Sequence, residues 1–296
     1  MEKNGLTITV VIEAQSANYG ESIGNIASLK QLSRGDGKTY TYISRQALRY
    51  SIVEQLKWNN TPVGAEGAGD KAVIQFLPDA TITDYPEIDL FGYMKTSKGK
   101  KGGAATRNAV VRLSNAISLE NYKDDTDFLN NKGLAVRIGA NNNLAQSENH
   151  KSLYSYTLTI DLDRVGVERG NDNKVTEEIA SAEKAKRVNA LLDAVKLLYR
   201  DIRGRRENLI PIFAVGGVYG RKNPYFADKI KTDKKGLNIE MLLSAKEISD
   251  DAVENTKFGY LAGTFINDTE VKKAFSPLSI RDFFESIKNE VGAYYG

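Results

Sequence analysis

The chain has 296 residues, with 41 Lys and Arg against 38 Asp and Glu, one histidine (His150) and no cysteine. A sequence without thiols excludes disulfides, thiolate zinc sites and cysteine nucleophiles, and a single imidazole excludes a multi-histidine metal centre. Any Ser-His-Asp arrangement would have to use His150, so chemistry is left to carboxylates, lysines, tyrosines and backbone amides. The length suits two domains or one elaborated domain. No apolar run approaches the roughly 20 residues of a membrane span, and residues 1–5 lead into an alternating segment without a signal-like apolar block. Together these predict a cytoplasmic protein with no membrane partner.

In chain order, Leu6, Ile8, Val10 and Ile12 alternate with polar residues, interrupted by Val11, which predicts a half-buried strand over 6–13. A polar loop with one aromatic, Tyr19, follows. Ser44 is placed to cap a helix running to about Lys57, with Ile43 and Leu48 as a hydrophobic staple and Leu48, Ile52 and Leu56 as the buried stripe. Arg45 and Arg49 share another face of that helix, and neither has an acidic partner within one helical turn. Residues 59–103 contain two glycine clusters around short strand-like pieces at 72–77 and 90–94, which reads as an insertion projecting on flexible connections. From residue 95 to 112 the chain carries Lys95, Lys98, Lys100, Lys101, Arg107 and Arg112 and no acid.

Residues 153–162 alternate again, ending in a turn at 163–166. A helix is predicted from a Thr176 cap to Gly204, with one apolar stripe from Ile179 to Ile202. Residues 209–218 and 237–243 read as strands around a long basic tip, and Ser279 as the cap of a last helix carrying Phe283, Phe284, Ile287 and Val291. The order β–α–(insertion)–β–α–β–(tip)–β is compatible with an α+β, ferredoxin-like split βαβ sheet decorated by two excursions.

Candidates for catalysis are few. His150 precedes a strand in a polar stretch and reads as a loop-anchoring residue. The acidic runs 124–127 and 161–163 lack calcium-loop spacing. The glycines at 99–103 lack a phosphate-loop ending, and Gly216-Gly217 follows a strand but opens no helix. No cofactor or metal is expected. Nucleic-acid binding has more support, because basic residues concentrate in the two excursions and at the start of the first helix, apart from the acids. Arg45 and Arg49 would add side-chain charge to backbone N–H donors, and Tyr19, Tyr219, Tyr225 and Phe226 offer ring faces for stacking.

Tyr42-Ile43-Ser44-Arg45-Gln46-Ala47-Leu48-Arg49-Tyr50, after a strand ending Glu13-Ala14-Gln15-Ser16-Ala17-Asn18-Tyr19, resembles the hallmark of the DevR-type backbone subunits of type I-B CRISPR effector complexes (Cascade), members of the RAMP superfamily. Residues 107–119, 153–166 and the Gly216-Gly217 strand end with its basic tip resemble the same family, so the match spans about residues 5–245. The resemblance implies an α+β fold in which a modified RRM/ferredoxin-like palm carries inserted fingers and a thumb hairpin. The palm would comprise residues 1–58, 113–216 and 237–296, the fingers 59–112 and the thumb 217–236.

Further, the resemblance implies a non-catalytic antiviral-defence protein. Copies would line up head to tail along a CRISPR guide RNA, grip its backbone and leave bases free to pair with a target DNA strand beside other Cascade subunits. By position, Arg45, Gln46 and Arg49 would be palm contacts, with Asn18 and Tyr19 in the same groove. Lys98, Lys100, Lys101, Arg107 and Arg112 would be finger contacts, and Tyr219, Arg221, Lys222 and Asn223 thumb contacts. Backbone subunits of related type III complexes cut RNA with a loop aspartate and a metal, and Asp36 in Gly35-Asp36-Gly37 is the counterpart position here. A turn aspartate between glycines is the ordinary reading, and metal-dependent RNA cleavage of the type III style using Asp36 is the alternative. A regulatory DNA-binding role finds no helix-turn-helix pattern.

Overall fold

The computed structural model describes residues 2–15, 18–67, 72–96, 104–170, 172–234 and 236–296. The first strand, Gly5–Ala14, lies between Ser152–Asp161 and Pro211–Tyr219 and runs antiparallel to both. Outside Ser152–Asp161 pair Val111–Leu113 and Ala116–Ser118. With helices Arg45–Leu56 and Ser181–Lys196 in the two crossovers, the strand order is fourth, first, third, second of a β-α-β-β-α-β unit, the split βαβ arrangement. Thr39–Ile43 and Gln31–Ser33 widen the sheet at one side, and Lys257–Tyr260 widens it at the other.

Period-2 alternation decides which face each residue takes. Leu6, Ile8, Val10 and Ile12 stand opposite Ile160, Leu158, Tyr156 and Tyr154, and all eight are buried beneath the helices. Helix Arg45–Leu56 contributes Leu48 and Ile52 to this layer, and Ser181–Lys196 contributes Val188, Leu191, Leu192 and Val195. Helix Ile280–Tyr295 adds Phe283, Phe284, Ile287 and Val291. Val11, the interruption in the sequence pattern, points the other way into a second core with Phe213, Val215 and Phe258. Gly216 and Gly217 permit close backbone approach there. A Cβ on Gly216 would lie 2.1 Å from the Thr7 carbonyl oxygen, and one on Gly217 would lie 2.1 Å from that of Asn255.

Several expected elements differ. The helix predicted over 177–204 is confined to Ser181–Lys196. Val175–Glu178 instead pairs with Val167–Arg169, and Tyr199–Ile202 pairs with Arg205–Asn208. Arg203 and Gly204 have φ of 48° and 75°, so Gly204 serves a tight hairpin turn and not a helix end. Of residues 237–243 only Leu237 is in a strand, the short Gly236–Leu237 that pairs with Thr232–Asp233. Asn238 accepts a hydrogen bond from the Met241 N–H at 3.0 Å and caps helix Ile239–Lys246, and the edge strand is Lys257–Tyr260. Residues 90–94 divide between helix Pro86–Phe91, with proline in its first turn, and strand Tyr93–Thr96. A four-stranded sheet of Tyr19–Ile23, Ile26–Leu29, Leu144–Asn149 and Asp125–Asn130 had no counterpart in the sequence reading.

The insertion after the first helix returns to the main sheet at Val111–Leu113 and is tied down by a buried ionic cluster. Asp89 accepts from Arg107 Nη2 at 2.7 Å and Arg187 Nη1 at 2.9 Å, and from the Gly166 N–H at 2.9 Å. Arg187 belongs to helix Ser181–Lys196, so this cluster joins insertion and sheet layer.

Candidate nucleic-acid interface

The site begins at the N-terminus of helix Arg45–Leu56, where the first N–H groups have no helical partner. Ser44 Oγ accepts from the Ala47 N–H at 3.2 Å and donates to Asn18 Oδ1 at 2.6 Å. Asn115 Oδ1 accepts from the Arg45 N–H at 2.9 Å. Two asparagines from distant loops thus strap the helix start in place. The arrangement leaves the Arg45 and Gln46 side chains exposed, and Arg45 forms no ion pair among the described residues.

Arg49, one turn on, is half-buried. It pairs with Glu87 at 2.9 Å and lies over the Phe91 ring, 5.1 Å from its centroid. Its acidic partner comes from the insertion, 38 residues away, and so was invisible to helical spacing. Tyr19 donates to the Glu148 carbonyl at 3.0 Å and carries the Arg203 guanidinium 4.0 Å from its ring centroid. Arg203 is the residue that sequence reasoning missed. Placed at a helix end by the overlong helix, it sits at an exposed hairpin turn beside the Asn18–Ser44 corner. The Arg203-Gly204 pair, suited to a two-residue turn, was the available signal. A groove of about 570 Å3 follows the helix flank, lined by Asn18, Ala47, exposed Tyr50, Gln55 and Tyr199.

Other candidate residues are placed elsewhere. Lys98, Lys100 and Lys101 lie outside the described residues. Arg107 is a correction: it is only 6% exposed and its guanidinium is consumed by Asp89 and by the carbonyls of Asp89, Val167 and Arg164. Tyr219 is another, because its ring is wholly buried, edge-on to Tyr225, and its hydroxyl is 3.0 Å from Thr256 Oγ1. Tyr225 and Phe226 are likewise buried in the second core and offer no face for stacking. Arg112 is exposed but forks onto Asp161 at 3.1 and 2.9 Å, which Arg164 also contacts at 3.2 Å. Burial pushes the Asp161 carboxyl up, but its arginines outweigh this and hold it below the usual carboxylate range. Lys222 pairs with Asp163, so this acidic run holds cations of the chain itself. Arg221 and Asn223 are exposed, with the Arg221 N–H donating to Asp251.

His150 is buried against Thr41, with Nδ1 and Oγ1 2.8 Å apart. Asp36 Oδ1 accepts from the Lys38 N–H at 3.0 Å and Oδ2 from the Tyr40 hydroxyl at 2.8 Å. These two bonds hold its carboxyl below its ordinary value. No group of three or more metal-ligating His, Asp or Glu side chains occurs among the described residues.

A family profile described as "CRISPR-associated negative auto-regulator DevR/Csa2" matches residues 6–235, from the first strand through the segment after Tyr219. The chain belongs to this DevR/Csa2 family. A relative from Myxococcus xanthus (strain DK1622), "CRISPR-associated protein Cas7/Cst2/DevR", is 31% identical over 122 residues, 38% of this chain and 40% of that protein. The matched region therefore spans well under half of that relative's length. Two solved structures share the fold. A chain of a "CRISPR RNA-guided surveillance complex, pre-nicking" superposes with a TM-score of 0.61 at 13% identity, covering 98% of this chain and 100% of the other. A chain of a "CRISPR RNA-guided surveillance complex" does so with 0.55 at 13% identity, covering 88% and 90%. The strapped helix start lies within the residues matched to the family.

Proposed function

We propose that this DevR-family chain is a non-catalytic, cytoplasmic guide-RNA-binding subunit of a Cascade surveillance complex of the I-B type. Copies would associate head to tail along the RNA beside other subunits. Each would grip phosphate and sugar so that base pairing with a target DNA strand reads the sequence. The observation that carries this reading is the exposed Arg45, without an ion pair among the described residues, beside Gln46 at a helix N-terminus strapped in place by Asn18, Ser44 and Asn115. An anion there meets side-chain charge and the positive end of the helix together. Tyr19 and Arg203 would form the neighbouring wall. In this reading the split βαβ sheet is the RRM-like palm and the insertion of residues 59–112 the fingers. Arg221, Lys222 and Asn223 at 217–236 would be peripheral contacts. The exposed excursion from Asp125–Asn130 to Leu144–Asn149, with Phe128, Leu134, Val136 and Ile138 at its surface, supports a role in reaching the next copy.

Asp36 is read as a turn residue, since both its oxygens are engaged locally. Metal-dependent cleavage of bound RNA that disappears in Asp36→Ala would overturn the non-catalytic reading. The main test is Arg45→Ala against several unrelated single-stranded RNAs. Binding should weaken by a similar factor for each, and the slope of log K against log salt should fall by about 0.7, one phosphate contact on a single strand. A loss confined to one sequence would refute backbone recognition.

A further inference from the structure

The sheet face opposite the helices is covered unevenly. At Pro211–Tyr219 and Lys257–Tyr260 it is packed by the second core, and Leu153 of Ser152–Asp161 also packs there, while Ser155 and Thr157 face the segment 227–232 across a cavity. Between that segment and the sheet lies a cavity of about 170 Å3, well below the range of a drug-sized or cofactor pocket. Ser155 and Thr157 line its floor, which alternation turns away from the helices, and Thr232 lines its roof. Arg34 and Lys231 close its sides, 197 residues apart in sequence. Both are half-buried, and neither makes an ion pair among the described residues. The Arg34 guanidinium is held over the Tyr40 ring, 5.0 Å from its centroid, so its position is set by packing. The one acid in the lining is Asp228, whose side chain is exposed.

Two cations turned into one small hydroxyl-lined cavity repel each other unless an anion sits between them. Burial and the neighbouring Arg34 charge draw the Lys231 ammonium below its ordinary pKa, against the opposing pull of Asp228 and Asp36. We propose that this cavity is a phosphate-group site, in which Arg34 and Lys231 contribute the charge and Ser155 and Thr232 the hydroxyl donors. The cavity shares a corner with the helix start: Ser114 lines it, while the next residue, Asn115, accepts the Arg45 N–H. A strand of RNA gripped at Arg45 could therefore place a further backbone phosphate here, and this choice of source rests on the function proposed above. A free phosphate or a mononucleotide phosphate carries the same chemistry.

The test titrates inorganic phosphate by calorimetry into the full chain and its variants, and separately measures the salt slope for a single-stranded RNA. Arg34→Gln and Lys231→Gln should each weaken phosphate binding by about tenfold or more, as expected for a lost charge-assisted hydrogen bond. Asp228→Asn should tighten it, a gain that misfolding cannot imitate; asparagine suits the φ of 58° at that position. Inorganic phosphate reads the cavity without RNA, so failure of the RNA-binding reading is seen separately. A fall of about 0.7 in RNA salt slope for each cavity variant assigns the phosphate to the RNA backbone. Weakened phosphate binding with an unchanged RNA slope supports the site with a free or mononucleotide phosphate as its ligand. The absence of saturable binding at millimolar phosphate, or equal binding by wild type, Arg34→Gln, Lys231→Gln and Asp228→Asn, overturns the proposal.

Discussion

Replacing Asp89 tests whether the insertion is held to the sheet layer by charge. Asp89 is fully buried, and its two oxygens accept from Arg107, Arg187 and the Gly166 N–H at 2.7 to 2.9 Å. Asp89→Ala removes the carboxylate that contacts both buried guanidiniums, leaving Glu168 at 3.5 Å from Arg107 and Glu183 at 3.2 Å from Arg187 as partial partners. Breaking a buried pair from one side costs about 3–5 kcal/mol, because the remaining charge stays desolvated. Against a total stability of about 5–15 kcal/mol this is about a fifth or more of the margin. With a urea m-value of about 3 kcal/mol/M, the midpoint should fall by roughly 1–1.7 M. Equilibrium urea unfolding followed by circular dichroism reads this directly. A double-mutant cycle with Arg187→Met should recover part of the loss, since removing a charge from both sides costs less than stranding one. A midpoint within about 0.2 M of wild type would refute the reasoning. The consequence reaches the site, because the same short helix presents Glu87 to Arg49.

Two further predictions concern the site's supports. His150 has its pKa lowered by burial, opposed by Glu120 and Asp125, so the unfolded chain takes up the proton first. Stability should fall as pH drops from about 6.5 toward the folded value, and His150→Gln should flatten that dependence in urea midpoints at pH 7.5 and 5.5; an unchanged slope would count against it. Ser44→Ala should cost about 1 kcal/mol of stability through the lost cap and should weaken RNA binding with Arg45 intact, since the Asn18 strap is lost with the hydroxyl. RNA affinity equal to wild type in that variant would show that the strap does not shape the groove.

Much of the sheet was legible because its helix-covered face is apolar at every second position. Leu6, Ile8, Val10 and Ile12, and Tyr154 to Ile160, recur at period 2 beneath the helices even though Gly5–Ala14 is buried on both faces, and Ser44 and Ser279 announce their helices through side-chain caps. Elements without a buried face left no period to read. Asp125–Asn130 is exposed at every position, and its sheet is held by backbone pairing that sequence does not display. The overlong helix arose because Ile179 and Leu198 fall on the same apolar stripe although both lie outside Ser181–Lys196. In the site, Asn18, Ser44, Arg45 and Gln46 could be named because they are near neighbours in one local motif. Arg203 could not, because its approach to Tyr19 depends on where a hairpin comes back.

Charge pairing within the molecule sorts the basic residues more sharply than their positions in sequence. A net charge of +3 spread over 41 cations and 38 acids predicts only a weak field. Arg107, Arg112, Lys222 and Arg49 each meet a carboxylate of this chain, and a phosphate would have to compete with it. Arg45 at the helix start, Arg203 on Tyr19, and Arg34 with Lys231 at the cavity make no such pair among the described residues. Counterion release comes from cations that meet phosphate without first giving up an internal partner. The basic run 95–112 was thus a poor guide where described: Lys95 donates to the Ala80 carbonyl at 2.5 Å, and Arg107 and Arg112 neutralise Asp89 and Asp161. Under the proposed function, Arg45, Arg203, Arg34 and Lys231 are therefore better candidates for phosphate than Arg107 or Arg112, because among the described residues none of the four has a carboxylate to give up.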